Sequence, residues 1–225
     1  MPGEPALVVS DLSVAYGDFV AVERASFEVG AGECVAIVGP NGNGKTSIAL
    51  GVAGLADRRG EVRVFGETAP RNNPVWMVRH GVSLVPERRQ LFPNLTVADN
   101  IALGCYGWTR SLRAANASPA LSRALGFFPE LGSHLQQRAG TLSGGEQQMV
   151  ALARGIASRP RVLMIDEPCL GLAEVVAKRL YEVLAAMIEE GQTIILIEEN
   201  PVRALRLSNR TVRVRNGITT EEEAA

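Results

Sequence analysis

The chain has 225 residues, 46% hydrophobic and 21% charged, with a formal net charge of -1. That suits one soluble globular domain, or one domain with an inserted lobe, and gives no reason to expect a nucleic-acid partner. Cys34, Cys105 and Cys169 are odd in number and lack a C-x-x-C spacing, which argues against a disulfide framework or a zinc site and for a reducing compartment. No run of about 18 apolar residues is present to span a bilayer. The N-terminus, with Glu4 and Asp11, lacks the basic start of a signal peptide. Any work at a membrane then needs another chain to hold this one there.

In chain order, Leu7-Val8-Val9 and Ala25–Val29 read as two short strands around a turn at Tyr16-Gly17-Asp18. Tyr16 has two readings, a sheet-surface residue at a turn or a ring that stacks on a base. The apolar run Cys34–Val38 predicts a buried strand, and Gly39-Pro40-Asn41-Gly42-Asn43-Gly44-Lys45-Thr46-Ser47 follows it and opens a helix over Thr46–Leu55. The spacing is G-x-x-x-x-G-K-T between strand and helix. Its glycines let backbone N–H groups turn around phosphate oxygens, Lys45 neutralises the β/γ charge, and Thr46 is placed to ligate Mg²⁺. The free N–H groups and positive dipole end of the helix add to the cradle. These residues predict a nucleoside triphosphate site.

Gly60–Gly66 and Val82–Val85 read as further strands, the second ending at Pro86-Glu87 where ligands collect in open α/β sheets. From Arg88 to about Gln148, short helical patterns are broken by Pro93, Pro119 and Pro129, which predicts a helical lobe inserted at about 88–155 between core segments 1–87 and 156–220. Ser143-Gly144-Gly145-Glu146 begins a helix, either as an anion cradle or as a plain capping box in which Ser143 reaches forward and Glu146 back. Val162–Ile165 is a buried strand ending in Asp166-Glu167. Asp166 suits Mg²⁺ and Glu167 suits polarising an attacking water, although a strand can also end in acids simply because it reaches solvent. Ala173–Glu190 predicts an amphipathic helix, Thr193–Ile197 a strand ending at Glu198-Glu199, and the tail from Glu221 to Ala225 a frayed end. The expected fold is α/β: a mainly parallel sheet flanked by helices, a small antiparallel β subdomain, and an inserted α-helical subdomain.

Together these residues resemble the nucleotide-binding subunit of ABC transporters across essentially the whole chain. The most specific mark is Leu142-Ser143-Gly144-Gly145-Glu146-Gln147, standing between the phosphate loop and the Asp-Glu strand. The resemblance implies a P-loop ATPase using ATP and Mg²⁺ and a head-to-tail pair of subunits. In that pair Ser143, Gly144, Gly145 and Glu146 of one subunit close over ATP held by Gly39–Ser47 of the other. It also implies an adenine-stacking Tyr16, a catalytic Glu167, and a position by the cytoplasmic face of the membrane. Within the family, Leu84–Glu87 with Leu91–Val97, Asp166–Ala173, and Ile197–Asn200 are similar to the ATP-binding subunit of branched-chain amino acid uptake systems. Relatives handling urea or short amides look almost the same.

That group implies a second, non-identical ATPase, membrane permease subunits and an extracytoplasmic solute-binding protein as partners. A regulatory nucleotide-binding subunit and a soluble ABC-type ATPase are the alternatives. The chain departs from the family at Glu87, where most members carry Gln, and at Glu199, where most carry a His that donates to the γ-phosphate. An ionised Glu199 cannot donate. At ~4 Å from a phosphate charge and an effective dielectric of about 20 it would cost on the order of 4 kcal/mol, so Glu199 is either protonated, turned away, or the mark of a weak site. Glu87 and Glu199 stay expected catalytic positions, Glu87 being common in the branched-chain group and Glu199 unusual even there. Glu87 is also an expected Mg²⁺ contact.

Overall fold

The computed structural model describes residues 4–109, 111–116, 118–208 and 210–223. Its strands and helices, in order, begin with β1 (Leu7–Tyr16), β2 (Phe19–Val29), β3 (Cys34–Val38), α1 (Lys45–Val52), β4 (Arg58–Val64), β5 (Glu67–Thr68), α2 (Pro74–Arg79) and β6 (Val82–Val85). Then come α3 (Val97–Ala102), α4 (Leu112–Asn116), α5 (Pro119–Phe127) and α6 (Gly144–Ala157). The remainder is β7 (Val162–Asp166), α7 (Glu174–Glu189), β8 (Thr193–Glu198), α8 (Pro201–Ala204), β9 (Arg210–Arg215) and β10 (Ile218–Glu223). No helix among the described residues is long and apolar enough to cross a membrane.

The described residues fall into two compact units, one within 1–84, 161–167 and 184–225, the other within 85–160 and 168–183. In the first, the strands run in the order β5-β4-β1-β2-β10-β9-β3-β8-β7-β6. Every residue of β3, β7 and β8 is buried, as expected of parallel strands covered on both faces. β3 pairs in parallel with β8 and β9, and β8 with β7. β1, β2, β4 and β5 form the antiparallel part. The N-terminal strands are longer than Leu7–Val9 and Ala25–Val29 suggested. The apolar alternation of β1 is interrupted at Asp11, where φ is 48° and the register with β2 shifts, yet pairing resumes at Leu12 and continues to Tyr16. Ile37, Ile48, Met164, Ile195 and Val212 share one core across the sheet.

The C-terminal tail departs from expectation. Residues 221–223 belong to β10, paired with Val212, Thr211 and Arg210 of β9, so this stretch is held by a sheet ladder instead of fraying. Ala224 and Ala225 lie outside the described residues. The turn between β9 and β10 is Asn216-Gly217, both with positive φ, the dipeptide that favours a tight hairpin.

In the second unit, α3 and α5 pack on α6. Val97, Ile101, Leu121, Phe128, Val150 and Ile156 are buried. Two helix starts are fixed by hydroxyl caps: Thr96 Oγ1 accepts from Asp99 N, and Ser118 Oγ from Leu121 N.

Candidate nucleotide site

β3 delivers the chain into the glycine loop and α1 leads it away. Gly44, the cap residue of α1, has φ 99°, and a Cβ there would lie 2.5 Å from Ala21 O. Only glycine fits both the left-handed conformation and that close approach. The cap makes no side-chain hydrogen bond and the first turn of α1 carries no acid, so its N–H groups are left to an anion. Lys45, 5% exposed, donates to Gly39 O at 2.7 Å, Pro40 O at 3.3 Å and Asn41 Oδ1 at 3.3 Å. It also pairs with Glu167 Oε1 at 3.5 Å. Thr46 is exposed and Ser47 partly so, while Pro40, Asn41 and Gly42 are exposed and Asn43 is half-buried.

The sheet register brings carboxylates to the same edge. Val38 at the end of β3 lies opposite Glu198 at the end of β8, and Ile197 lies opposite Asp166 at the end of β7. Asp166 is buried. Glu167 takes a left-handed turn with φ 46° and donates its N–H to Ile197 O at 3.0 Å. Its carboxyl pKa is pushed up to about 7, chiefly by burial, then by the Glu198 charge; Asp166 adds to this and Lys45 opposes it. A carboxyl poised near neutrality can act as a general base at physiological pH. Glu199 is exposed and its Oε2 accepts from Asn41 Nδ2 at 2.9 Å. Tyr16, 46% exposed, ends β1 opposite Phe19 of β2. The first unit thus gathers Lys45, Asn41, Glu167 and Glu199 by direct contact.

Residues 216–217 belong to the site's support and were missed in the sequence. Asn216 N donates to Asn43 Oδ1 at 2.8 Å, and Gly217 N to Asn43 O at 3.2 Å, so the β9–β10 turn buttresses the phosphate loop. The Asn-Gly dipeptide between Thr211-Val212-Arg213-Val214 and Ile218-Thr219-Thr220 was the available signal.

In the second unit, Ser143 caps α6. Glu146 N donates to Ser143 Oγ at 3.3 Å and Ser143 N to Glu146 Oε2 at 2.8 Å, a complete capping box. His134 Nε2 lies 3.6 Å from Glu146 Oε1. The Ser143 hydrogen bonds, then His134, hold the Glu146 carboxyl below its usual range. Gly144 is exposed; a Cβ on Gly145 would lie 2.9 Å from Val176. Glu87 is half-buried in the turn after β6.

A buried parallel strand, a lysine-bearing glycine loop, an uncapped helix start and two strand-end carboxylates define a P-loop nucleotide-binding domain. A sequence profile described as "ABC transporter" matches residues 22–170. The chain is 35% identical over 207 residues to the high-affinity branched-chain amino acid transport ATP-binding protein BraG of Pseudomonas aeruginosa, covering 92% of this chain and 87% of that one. It is 30% identical to a probable branched-chain amino acid transport ATP-binding protein LivF of Archaeoglobus fulgidus, covering 88% and 83%. In solved structures, it superposes on an ATP-binding subunit of an ABC transporter with a TM-score of 0.81 and 27% identity, covering 97% of this chain and 90% of that one. A dimeric bacterial ABC transporter cassette gives a TM-score of 0.85 at 22% identity, over 97% and 99%. The chain belongs to the ABC transporter family, as an ATP-binding ATPase subunit.

Proposed function

We propose that this chain hydrolyses ATP to drive import of branched-chain amino acids, or of small solutes such as urea and short amides, through a membrane permease. The observation that carries the reading is the convergence of Lys45 and Glu167 at the phosphate loop, 3.5 Å apart, in a chain similar over most of its length to BraG. In this reading Gly39–Ser47 and Lys45 hold the triphosphate and Tyr16 stacks on adenine. Glu167 orients water and accepts its proton as the water oxygen attacks the γ-phosphorus. The bond to the β–γ bridging oxygen breaks, leaving ADP and phosphate.

The residues present fit Mg²⁺. An exposed Thr46 hydroxyl and the Asp166 carboxylate are hard oxygen donors, and this ion is usually held by one or two side chains together with phosphate oxygens and water. When bound, it would neutralise phosphate charge.

The subunit pairs head to tail, with Ser143, Gly144, Gly145 and Glu146 covering the ATP of a second, non-identical ATPase or a second copy. It sits peripherally on permease subunits at the cytoplasmic face, and an extracytoplasmic binding protein delivers the solute. The contact between Asn41 and Glu199 favours one refinement: an extra carboxylate on the phosphate loop slows the ATP site built on this chain, so the site formed by its Ser143–Gly145 and the partner's loop does most of the hydrolysis. If Glu167→Gln in this subunit alone abolished transport while the same change in the partner did not, the refinement would be wrong.

Co-purification from the native membrane, with the accompanying chains identified by mass, tests the proposal. Recovery of permease chains and a second ATPase supports it. Recovery of the chain alone, or as a soluble homodimer, contradicts it and favours a soluble ABC-type ATPase or a regulatory subunit.

A further inference from the structure

Arg89 has no role in the reading above, yet it is held in a specific place. Arg89 and Gln90 are two consecutive non-glycine residues in the left-handed region, with φ 56° and 47°, a conformation side chains avoid and surroundings must impose. The Arg154 guanidinium, from α6, imposes it by donating to Arg89 O at 2.6 Å and Gln90 O at 2.8 Å. The turn aims Arg89 back at the start of the same helix. Its Nε donates to Gln148 Oε1 at 3.1 Å, and both terminal nitrogens lie 3.5 Å from where a Cβ of Gly144 would stand.

This placement is electrostatically unfavourable by itself. The start of a helix carries positive partial charge, and Arg89 adds a full cation beside it with no carboxylate partner among the described residues. The acid of that turn, Glu146, is already engaged with Ser143 N and His134. Gln148 is 2% exposed and its Nε2 makes no hydrogen bond, so a buried polar donor beside the same guanidinium also lacks an acceptor. A clamped turn, an unpaired cation, an orphaned amide and a helix start together call for a multiply charged anion.

We infer that Arg89 is a binding residue for the triphosphate of the ATP held by the opposite subunit, reaching it over Gly144, with Arg154 as its positioning residue. The inference rests on the head-to-tail pairing proposed above. The full chain carrying Glu167→Gln, mixed with whichever ATPase co-purifies with it carrying the same change at its own catalytic carboxylate so that hydrolysis is slow at both sites, is titrated with Mg²⁺ and ATP while association is followed by sedimentation. Arg89→Ala should raise the ATP concentration needed for association about tenfold or more, the effect of losing one charge-assisted contact. Arg89→Lys should fall between, and Arg154→Met should match Arg89→Ala. Binding of a fluorescent ATP analogue to the dilute chain should be unchanged.

Ser143→Arg, at an exposed position, reports the pairing itself. If it blocks association while Arg89→Ala does not weaken it, the inference about Arg89 is wrong and the pairing stands. If the parent shows no ATP-driven association, or Ser143→Arg leaves it intact, the pairing fails and the inference with it. If Arg89→Ala weakens analogue binding by the dilute chain, Arg89 acts within its own subunit and the inference is overturned.

Discussion

Asn41 bridges Glu199 and Lys45: its Nδ2 donates to Glu199 Oε2 at 2.9 Å, and its Oδ1 accepts from Lys45 Nζ at 3.3 Å. The carboxylate after β8 is therefore one amide away from the ammonium that meets the triphosphate. It holds the loop's Asn41 while placing a negative charge beside a site for anions.

Glu199→Gln separates these effects, since the amide oxygen still accepts from Asn41 while the charge is gone. The variant should bind ATP more tightly and turn over at least several-fold faster at this chain's own loop, because an anion a few ångströms from phosphate costs on the order of 1–4 kcal/mol. Single-turnover ATPase and analogue binding measure both. A fall in each would mean that the carboxylate itself supports the loop.

Glu167 sets the pH response. With its carboxyl pKa at about 7 in the free protein, the base form is lost as pH falls through neutrality, so kcat/KM should rise with pH and level off above about 8. The stability sign is opposite: the unfolded chain gives up this proton near the ordinary carboxylate value, the folded chain only near 7, so the group's contribution is lost as pH rises through that window. Glu167→Gln should raise Tm by about 2–6 °C at pH 8 and by little at pH 4.5. Calorimetry at the two pH values decides it.

Arg58 predicts an unusual stabilisation. It is 1% exposed; its Nη2 donates to Ala69 O and Pro70 O, while Nε and Nη1 make no hydrogen bond. Burial, then Arg71, lowers its pKa. Arg58→Met keeps the length and removes an uncompensated buried cation, so stability should be unchanged or rise by up to ~2 kcal/mol. A loss above ~2 kcal/mol in chemical unfolding would show that the two carbonyl contacts outweigh the desolvation cost.

The parallel half of the sheet was legible because β3, β7 and β8 are continuous apolar runs, and the phosphate loop because glycine and lysine sit at fixed spacing between strand and helix. β9 was not, since arginines alternate with its buried Val212 and Val214 and a half-exposed strand of this kind reads as polar. The role of Asn216-Gly217 against Asn43 was hidden for another reason: it is a contact between distant segments. The sequence reveals the type of charge at Glu199 and Arg89 but not its direction; Asn41 and Gly144 supply that only in the folded chain.

The most direct test of the account is uptake of labelled leucine by native cells lacking this chain and complemented with wild type or Lys45→Ala. Lys45 is buried against Gly39 O and Glu167, so its loss should abolish ATP binding by this loop. The account predicts that wild type restores uptake and that Lys45→Ala, expressed to the same level and still bound to its permease, lowers uptake severalfold or abolishes it. Uptake equal to wild type with Lys45→Ala, or no dependence of uptake on the chain at all, would contradict it.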